Sequence, residues 1–333
     1  MRAYLNFAAI GLLVLLPLSG IGTHMTYLYR ILILILIWGG IYTSWALMGR
    51  YGFVSLGHGA FLGVGAYTVT LLWNYAQLTP WLGIPVALAL CVAVALIIGY
   101  PCFHLRVVGH YFALVTLALG EVVRLSIIAL RDYTGGSLGL TPNQMPGAGE
   151  NSWYAFQFAD WNVFYYLALA LWLCCLWIYR RVGRSMANSA LSAISEDEVA
   201  AASVGIRVTS MKLRITVLSA VMTGAGGILF SQFNRYLNPE TLSGIGVSLE
   251  IVFASIVGGM YTAIGPTVGA MLTISLRESL RVLFGTQFIG AANTIYGILL
   301  IVFIIFMPTG LLGWLKNRLI DGWSGPWKLD RPL

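Results

Sequence analysis

The sequence predicts an all-α fold: a polytopic transmembrane bundle of about ten helices. Three observations carry that expectation. Of 333 residues, 59% are apolar and only 9% are charged, against about one quarter charged in a soluble domain, so polar surface is too scarce to cover a water-facing globule. The apolar residues fall into separate blocks of about twenty, the length one helix needs to cross a bilayer. The basic residues sit beside block ends, in the manner of topology control.

In chain order the blocks run approximately over 4–21, 28–48, 53–75, 81–101, 111–129, 163–179, 213–234, 248–261, 266–284 and 288–307. The first opens Met1-Arg2 and stays apolar to about Gly22 without a clear small-residue cleavage site, so it reads as a retained helix. With a cytoplasmic N-terminus, ten crossings return the C-terminus to the same side. Thirteen basic residues then lie inside (Arg2, Arg50, Arg106, Arg180, Arg181, Arg184, Arg207, Lys212, Arg214, Lys316, Arg318, Lys328 and Arg331). Five lie outside (Arg30, Arg131, Arg235, Arg277 and Arg281), and Arg124 falls within a span. This satisfies the positive-inside rule, which the inverted topology violates. The expected organisation is one transmembrane domain over 1–312 and a cytoplasmic tail over 313–333. An external loop of about 131–162 and a basic internal loop of about 180–212 interrupt the short connections.

The net charge of +7 comes from no dense basic tract, which argues against nucleic acid as a partner. Cys91, Cys102, Cys174 and Cys175 all fall inside apolar blocks, with neither zinc spacing nor a disulfide framework, and read as small core hydrophobes.

Within the internal loop, Ser195 is expected to cap a helix whose first turn holds Glu196, Asp197 and Glu198. Alanines including Ala201 and Ala202 propagate it, and Gly205 stops it. Ile194, Val199, Ala202 and Ile206 would then form an apolar stripe for a partner, or hold a plain connector on the membrane surface.

Gly57, Gly59, Gly63 and Gly65 share one predicted span; they permit close helix packing or a broken helix lining a path. His58, in the same segment, is either a core histidine or a polar lining residue. Gly258, Gly259, Gly265 and Pro266 interrupt a second apolar stretch and predict a tight turn or re-entrant break on the inner side. The two glycine-rich segments take comparable places in the two halves, so helices 2–5 and 7–10 are expected to form an inverted repeat. Ionisable groups inside spans need partners or water. Glu121 and Arg124, three apart, are expected to pair, with Glu250 joining them, either to lock helices or to line the path. Arg131, Arg235, Arg277 and Arg281 face outward, toward an acidic partner protein or toward lipid headgroups.

Several ordered segments resemble the branched-chain amino acid permease family of ABC importers, in its LivM-like form. They are Ser55-Leu-Gly-His-Gly-Ala-Phe-Leu-Gly-Val-Gly-Ala-Tyr67, Tyr111-Phe-Ala-Leu-Val-Thr-Leu-Ala-Leu-Gly-Glu-Val-Val-Arg124, Thr134-Gly-Gly-Ser-Leu-Gly-Leu140, Ser248-Leu-Glu-Ile251 and Gly258-Gly-Met-Tyr-Thr-Ala-Ile-Gly-Pro266. The stretch Glu198-Val-Ala-Ala-Ala-Ser-Val-Gly205 is similar to the coupling motif of ABC importer permeases, with a Val after the Glu and one extra residue before the Gly. The resemblance implies a bacterial inner-membrane permease with both termini cytoplasmic, forming half of a channel for branched-chain or related amino acids. Urea, short-amide and aromatic-acid permeases share much of the pattern.

It further implies a second permease subunit, two ATP-binding subunits that carry the ATP and magnesium, and a periplasmic binding protein; this chain itself would bind no cofactor. An ion-coupled secondary transporter would need a buried, chargeable coupling residue; only Glu121 and Glu250 qualify, and neither has a carboxylate neighbour in the sequence. A membrane enzyme would need a polar constellation that His24, His58, His104 and His110 do not make. No phosphate-binding loop is present in the sequence.

Overall fold

The computed structural model describes residues 26–107, 109–144, 151–284, 289–306 and 310–313, together with Pro17. The expected first helix over 4–21, the tail beyond residue 313, His24, Glu150 and the middle of the external loop lie outside the described residues. The remainder is mainly helical, with connecting loops and a two-residue antiparallel pair, β1 (Asn151–Ser152) with β2 (Gln157–Phe158). Besides single turns at Arg131–Thr134 and Gly136–Leu138, the helices are α1 (Thr26–Gly49), α2 (His58–Ala76), α3 (Pro80–His104), α4 (His110–Ala129), α5 (Trp161–Gly183), α6 (Met186–Glu196), α7 (Glu198–Ser203), α8 (Val208–Asn234), α9 (Pro239–Ser243), α10 (Ile245–Gly258), α11 (Gly265–Phe284) and α12 (Ile289–Phe306). Among the described residues, six stretches are long and apolar enough to cross a membrane: α1, α3, α4, α5, α8 and the broken pair α9–α10.

A helix that is apolar all round belongs in the interior of a bundle or against lipid, and both outcomes occur. The most apolar window of α1 is 78% buried, whereas that of α3 is 28% buried. The helix α1 is the central post, contacting α5, α8, α10 and α11. The helix α3 lies on the rim, packed inward on α2 and α8 and open on its other side.

The close packing around α8 comes from Gly224-Ala-Gly226-Gly227. A Cβ at Gly65 would come within 2.5 Å of the Gly224 carbonyl oxygen, and one at Gly227 would overlap the Leu62 carbonyl. The backbones of α2 and α8 therefore touch, the geometry that small residues make possible between membrane helices. Gly226 admits Ile41 of α1 in the same way.

Two expected blocks begin elsewhere. The span predicted over 53–75 becomes helical only at His58. Residues 53–57 are irregular, yet Ser55 and Gly57 are buried, so their backbone groups need partners. Trp45 Nε1 donates to the Ser55 carbonyl (2.8 Å), and the Leu56 amide donates to Thr116 Oγ1 (3.0 Å). The block predicted from 248 instead starts at Pro239, capped by Asn238 Oδ1, and is interrupted at Gly244, whose ψ of 153° is extended. Cys174 is exposed, unlike the core position expected for it; Cys91, Cys102 and Cys175 are buried.

Inserting a side chain where two backbones touch costs at least the 1–3 kcal/mol typical of overpacking. Gly227→Val is therefore expected to lower detergent-solubilised stability by about 3 kcal/mol or to abolish folding. Gly246→Ala, where an added Cβ meets nothing within 4 Å, should leave it unchanged. Monodisperse yield and thermal unfolding of the two variants check this.

Candidate functional site

The internal loop forms two helices rather than one. Ser195 sits in the last turn of α6, and the cap belongs to Asp197. Its extended backbone (φ −153°, ψ 114°) turns Oδ1 onto the amides of Val199 (2.7 Å) and Ala200 (3.0 Å). Ser195 and Asp197 are comparable capping residues; the burial of Leu191 and Ile194 carries α6 through Ser195, so the chain breaks at Asp197. Gly205 ends α7 as expected, with φ +91°, a conformation that only glycine adopts without strain. Glu196 is exposed at the end of α6.

The expected apolar stripe divides. Ile194 and Ala201 point inward and are buried, Ile206 is half-buried, and Val199 and Ala202 face outward. Leu191 joins a cluster with Met48, Tyr51, Phe103, Tyr179 and Ile215, which glues the loop to the ends of α1, α3, α5 and α8. The Tyr51 hydroxyl donates to Asn188 Oδ1 (2.7 Å) while Arg50 stacks over the rings of Tyr51 and Tyr179. Burial pushes the Tyr51 phenol above its ordinary range, Arg50 pulling the other way, so it stays protonated as that donor at neutral pH.

Lys212, in the first turns of α8, is 2% exposed and pairs with Glu198 of α7. Its ammonium also lies over Phe53 (5.2 Å) and Phe103 (5.7 Å). This ion pair is the one charged link between α7 and α8 among the described residues, and sequence reading missed it. A single lysine near a helix start reads only as a topology signal.

The expected pairing of Glu121 with Arg124 is present, the guanidinium Nε donating to both carboxylate oxygens (3.1 and 3.0 Å). The third member is not Glu250. Arg124 pairs instead with Glu240, which Asn238 and Pro239 place at the start of α9. Glu250 pairs with Arg277 of α11 and accepts from the Tyr42 hydroxyl (3.1 Å), because α10 places it toward α1 and α11 rather than α4. The triad lies on an open face: Glu121 is 30%, Arg124 19% and Glu240 65% exposed. Charges on a face turned to lipid would cost roughly 2.5–3.5 kcal/mol each. That face is suited to water or to a covering protein.

His58 is completely buried, its Nε2 2.8 Å from Ser219 Oγ. Ser219 already donates to the Ser44 carbonyl (2.6 Å), so His58 is the donor and Nδ1 carries the lone pair, without a partner among the described residues. Gly57 precedes α2, and Gly63 packs against Ser243, so α2 meets the break between α9 and α10. Gly258, Gly259 and Pro266 form the expected turn, Gly259 at φ +108°, with Gly258 and Gly265 in backbone contact. The two glycine-rich segments do not take matching places: one begins α2, while the other joins α10 to α11.

On the other side, Arg131 and Arg281 are exposed, while Arg235 donates to the Phe158 carbonyl (2.7 Å) and Arg277 is engaged by Glu250. Glu278 lies 3.6 Å from Arg281 and accepts from Tyr27. The expected external loop is an aromatic cap. Trp81 of α3 stacks on Trp153 and meets Phe156 edge-on; both of these meet Phe158, and Phe156 also meets Phe164.

Residues 27–307 match the family model described as branched-chain amino acid transport system / permease component. The chain is 30% identical over 290 residues to the high-affinity branched-chain amino acid transport system permease protein LivM of Escherichia coli K12. That match covers 82% of this chain and 66% of the relative. It is 23% identical to LivH of the same organism, over 80% of this chain and 87% of that one. The probable branched-chain amino acid permease LivH of Methanocaldococcus jannaschii is 26% identical, over 78% and 84%. No solved structure matches.

The triad yields an order of effects. Exchanging the charges of Glu121 and Arg124 places a new carboxylate against Glu240, so the exchange alone should not restore folded yield. Adding Glu240→Lys should restore it, and Arg124→Gln alone should cost more yield than Glu121→Gln. Size-exclusion profiles of the four variants check the order, and full recovery by the exchange alone contradicts the triad.

Proposed function

The chain belongs to the branched-chain amino acid transport system permease family, and on that premise we propose that it is the membrane-spanning permease of an ABC importer. It forms half of the channel through which branched-chain or related amino acids, delivered by a periplasmic binding protein, cross the inner membrane. ATP is hydrolysed on separate subunits, two per assembly, and a second permease completes the channel. The chain contributes no bond-breaking chemistry of its own.

The observation that carries this reading is the division of labour on its surface. One face, along α4 and α9, holds Glu121, Arg124 and Glu240 in the open. Another, along α3, is apolar and exposed. A half-channel has one wet face toward its partner and one oily face toward lipid. Glu250 and Arg277 lock α10 to α11, whereas the triad belongs to the path.

In the proposed topology, residues 4–21 supply a further span, both termini are cytoplasmic, and residues 180–212 are the inner coupling loop. The packing pattern supports an inverted repeat of α1–α4 with α8–α12. The helix α1 lies on α11 as α8 lies on α3, and α10 lies on α11 as α2 lies on α3.

Movement enters at α6–α7. ATPase closure presses on Glu196 and Asp197, exposed where α6 meets α7. Leu191 carries the push into the cluster beneath α1 and α5, and the Glu198–Lys212 pair carries it to α8. The backbone contacts of α8 with α2 then pass it to the channel wall. Arg131 and Arg281, exposed on the opposite side, are the positions from which acidic lobes of a binding protein are recognised.

Lys212 is buried, so removing its carboxylate leaves a stranded charge, at a cost of about 3–5 kcal/mol. Glu198→Gln should therefore lower folded yield, and Lys212→Met should not. Lys212→Met should instead lower ATP-dependent uptake at least tenfold (an order-of-magnitude expectation from the strength of a buried pair), with the ATPase subunits still co-purifying and hydrolysing ATP. Uptake by Lys212→Met at the unmodified rate would remove the pair from the coupling route.

A further inference from the structure

A cavity of about 910 Å³ opens where the inner end of α3, the short helix α7 and the start of α8 converge. Its volume lies at the upper end of the range for small-molecule sites. Its walls differ in character. Tyr100, Phe103, Val199 and Leu213 form an apolar floor, and Arg106 and Arg207 stand at the rim.

Both arginines are exposed, and neither side chain has a hydrogen-bond or ion-pair partner among the described residues. Glu198 also borders the cavity, but Lys212 already compensates it. The rim therefore carries uncompensated positive charge. Arg106 is held there by a left-handed backbone, φ +56°, at the end of α3. Beside it, His104 stacks on Tyr100 with ring centroids 5.6 Å apart.

The apolar floor does not stop at the cavity. It continues up the open side of α3, where Tyr100 is 53% and Ile97 67% exposed. On a helix this apolar, that surface is bathed in acyl chains. A ligand that fits must bring an anionic head to two free guanidinium groups and an apolar tail to a surface continuous with hydrocarbon. We propose that the cavity binds one anionic glycerophospholipid of the inner leaflet, its phosphate on Arg106 and Arg207 and its chains along Tyr100 and Ile97. Basic pockets between membrane helices on the cytoplasmic side are suited to such headgroups.

The bound lipid touches Val199 and so lies against the exposed side of α7. It supports the coupling helix beside its ion pair, Glu198 bordering the same cavity, and adjusts how stiffly α7 answers an external push. The proposal rests on the assignment of residues 180–212 to the inner face, made above.

The test uses the full chain in mild detergent, with phosphatidylglycerol and phosphatidylcholine of matched chains as probes and native mass spectrometry as the readout. Wild type should retain phosphatidylglycerol about tenfold better than phosphatidylcholine. The variant Arg106→Gln/Arg207→Gln should retain both alike. Arg180→Gln/Arg181→Gln, which alters basic residues outside the cavity, should behave as wild type. Should the first variant fold poorly, Val199→Trp in the unaltered rim offers a second measurement. The emission it adds to that of the eleven native tryptophans, taken as the difference from wild type in the same lipid, should be quenched by dibrominated phosphatidylglycerol and much less by dibrominated phosphatidylcholine.

Equal retention of the two lipids, equal losses in both arginine variants, or a Val199→Trp signal shielded from both brominated lipids would overturn the proposal. The last outcome would instead assign the cavity to a protein segment. No ATPase is needed for the binding measurement. Lost uptake with lipid binding intact thus bears on the coupling role alone, and lost binding with uptake intact bears on the lipid site alone.

Discussion

Hydrocarbon solvates neither an unpaired charge nor an unsatisfied backbone group, and the arrangement of polar residues in this chain follows from that. Every carboxylate on α4, α9, α10 and α11 is held by a cation: Glu121 and Glu240 by Arg124, Glu250 by Arg277, Glu278 by Arg281. The irregular stretch before α2 survives because Trp45 and Thr116 supply its missing hydrogen bonds. Serines and threonines do the same in the interior, where Ser219 links α8 to α1 and to His58 at once. With the polar groups satisfied in this way, cohesion between helices depends on how closely they approach, and glycine sets that limit along α8.

Much of this was readable from residue order alone. Nine of the ten expected blocks coincide, within several residues, with described helices, because twenty-residue apolar runs have few alternatives in a bilayer. The Glu121–Arg124 pair was readable because the spacing lies within one helix. What escaped depends on which helices become neighbours. Glu240 reaches Arg124 only once α9 is set against α4, and Glu250 turns away only once α10 is set against α11. The coupling loop shows the same limit locally. Its composition marks a capped helix, but two good capping residues stand two apart, and only the burial of Leu191 and Ile194 decides that α6 continues past Ser195 to stop at Asp197.

Under the proposed role, α8 occupies the decisive position. Its first turns hold the ion pair to the inner loop, its middle touches α1, α2 and α3 through glycines, and its end carries Arg235 against the aromatic cap. Long side chains along such a helix would let it slide against its neighbours with little consequence. Backbone contact limits such sliding, so a displacement at Lys212 would be felt at Gly65 and Leu62. The sparse charge of the segment and its many small residues are two aspects of one requirement, that a force-bearing element be both oily and thin.

The rim helix α3 has a mechanical consequence of its own. It runs 25 residues from Trp81 in the aromatic cap to Tyr100 and Phe103 beside the inner loop, with prolines at positions 85 and 101. At 1.5 Å per residue it is a rod of about 37 Å, softened close to each tip where proline removes a backbone hydrogen bond. Tilting such a rod by about ten degrees swings one tip by roughly 6 Å relative to the other. Under the proposed role, such a tilt would move the aromatic cap and the inner loop in opposite senses without bending the helix between its prolines.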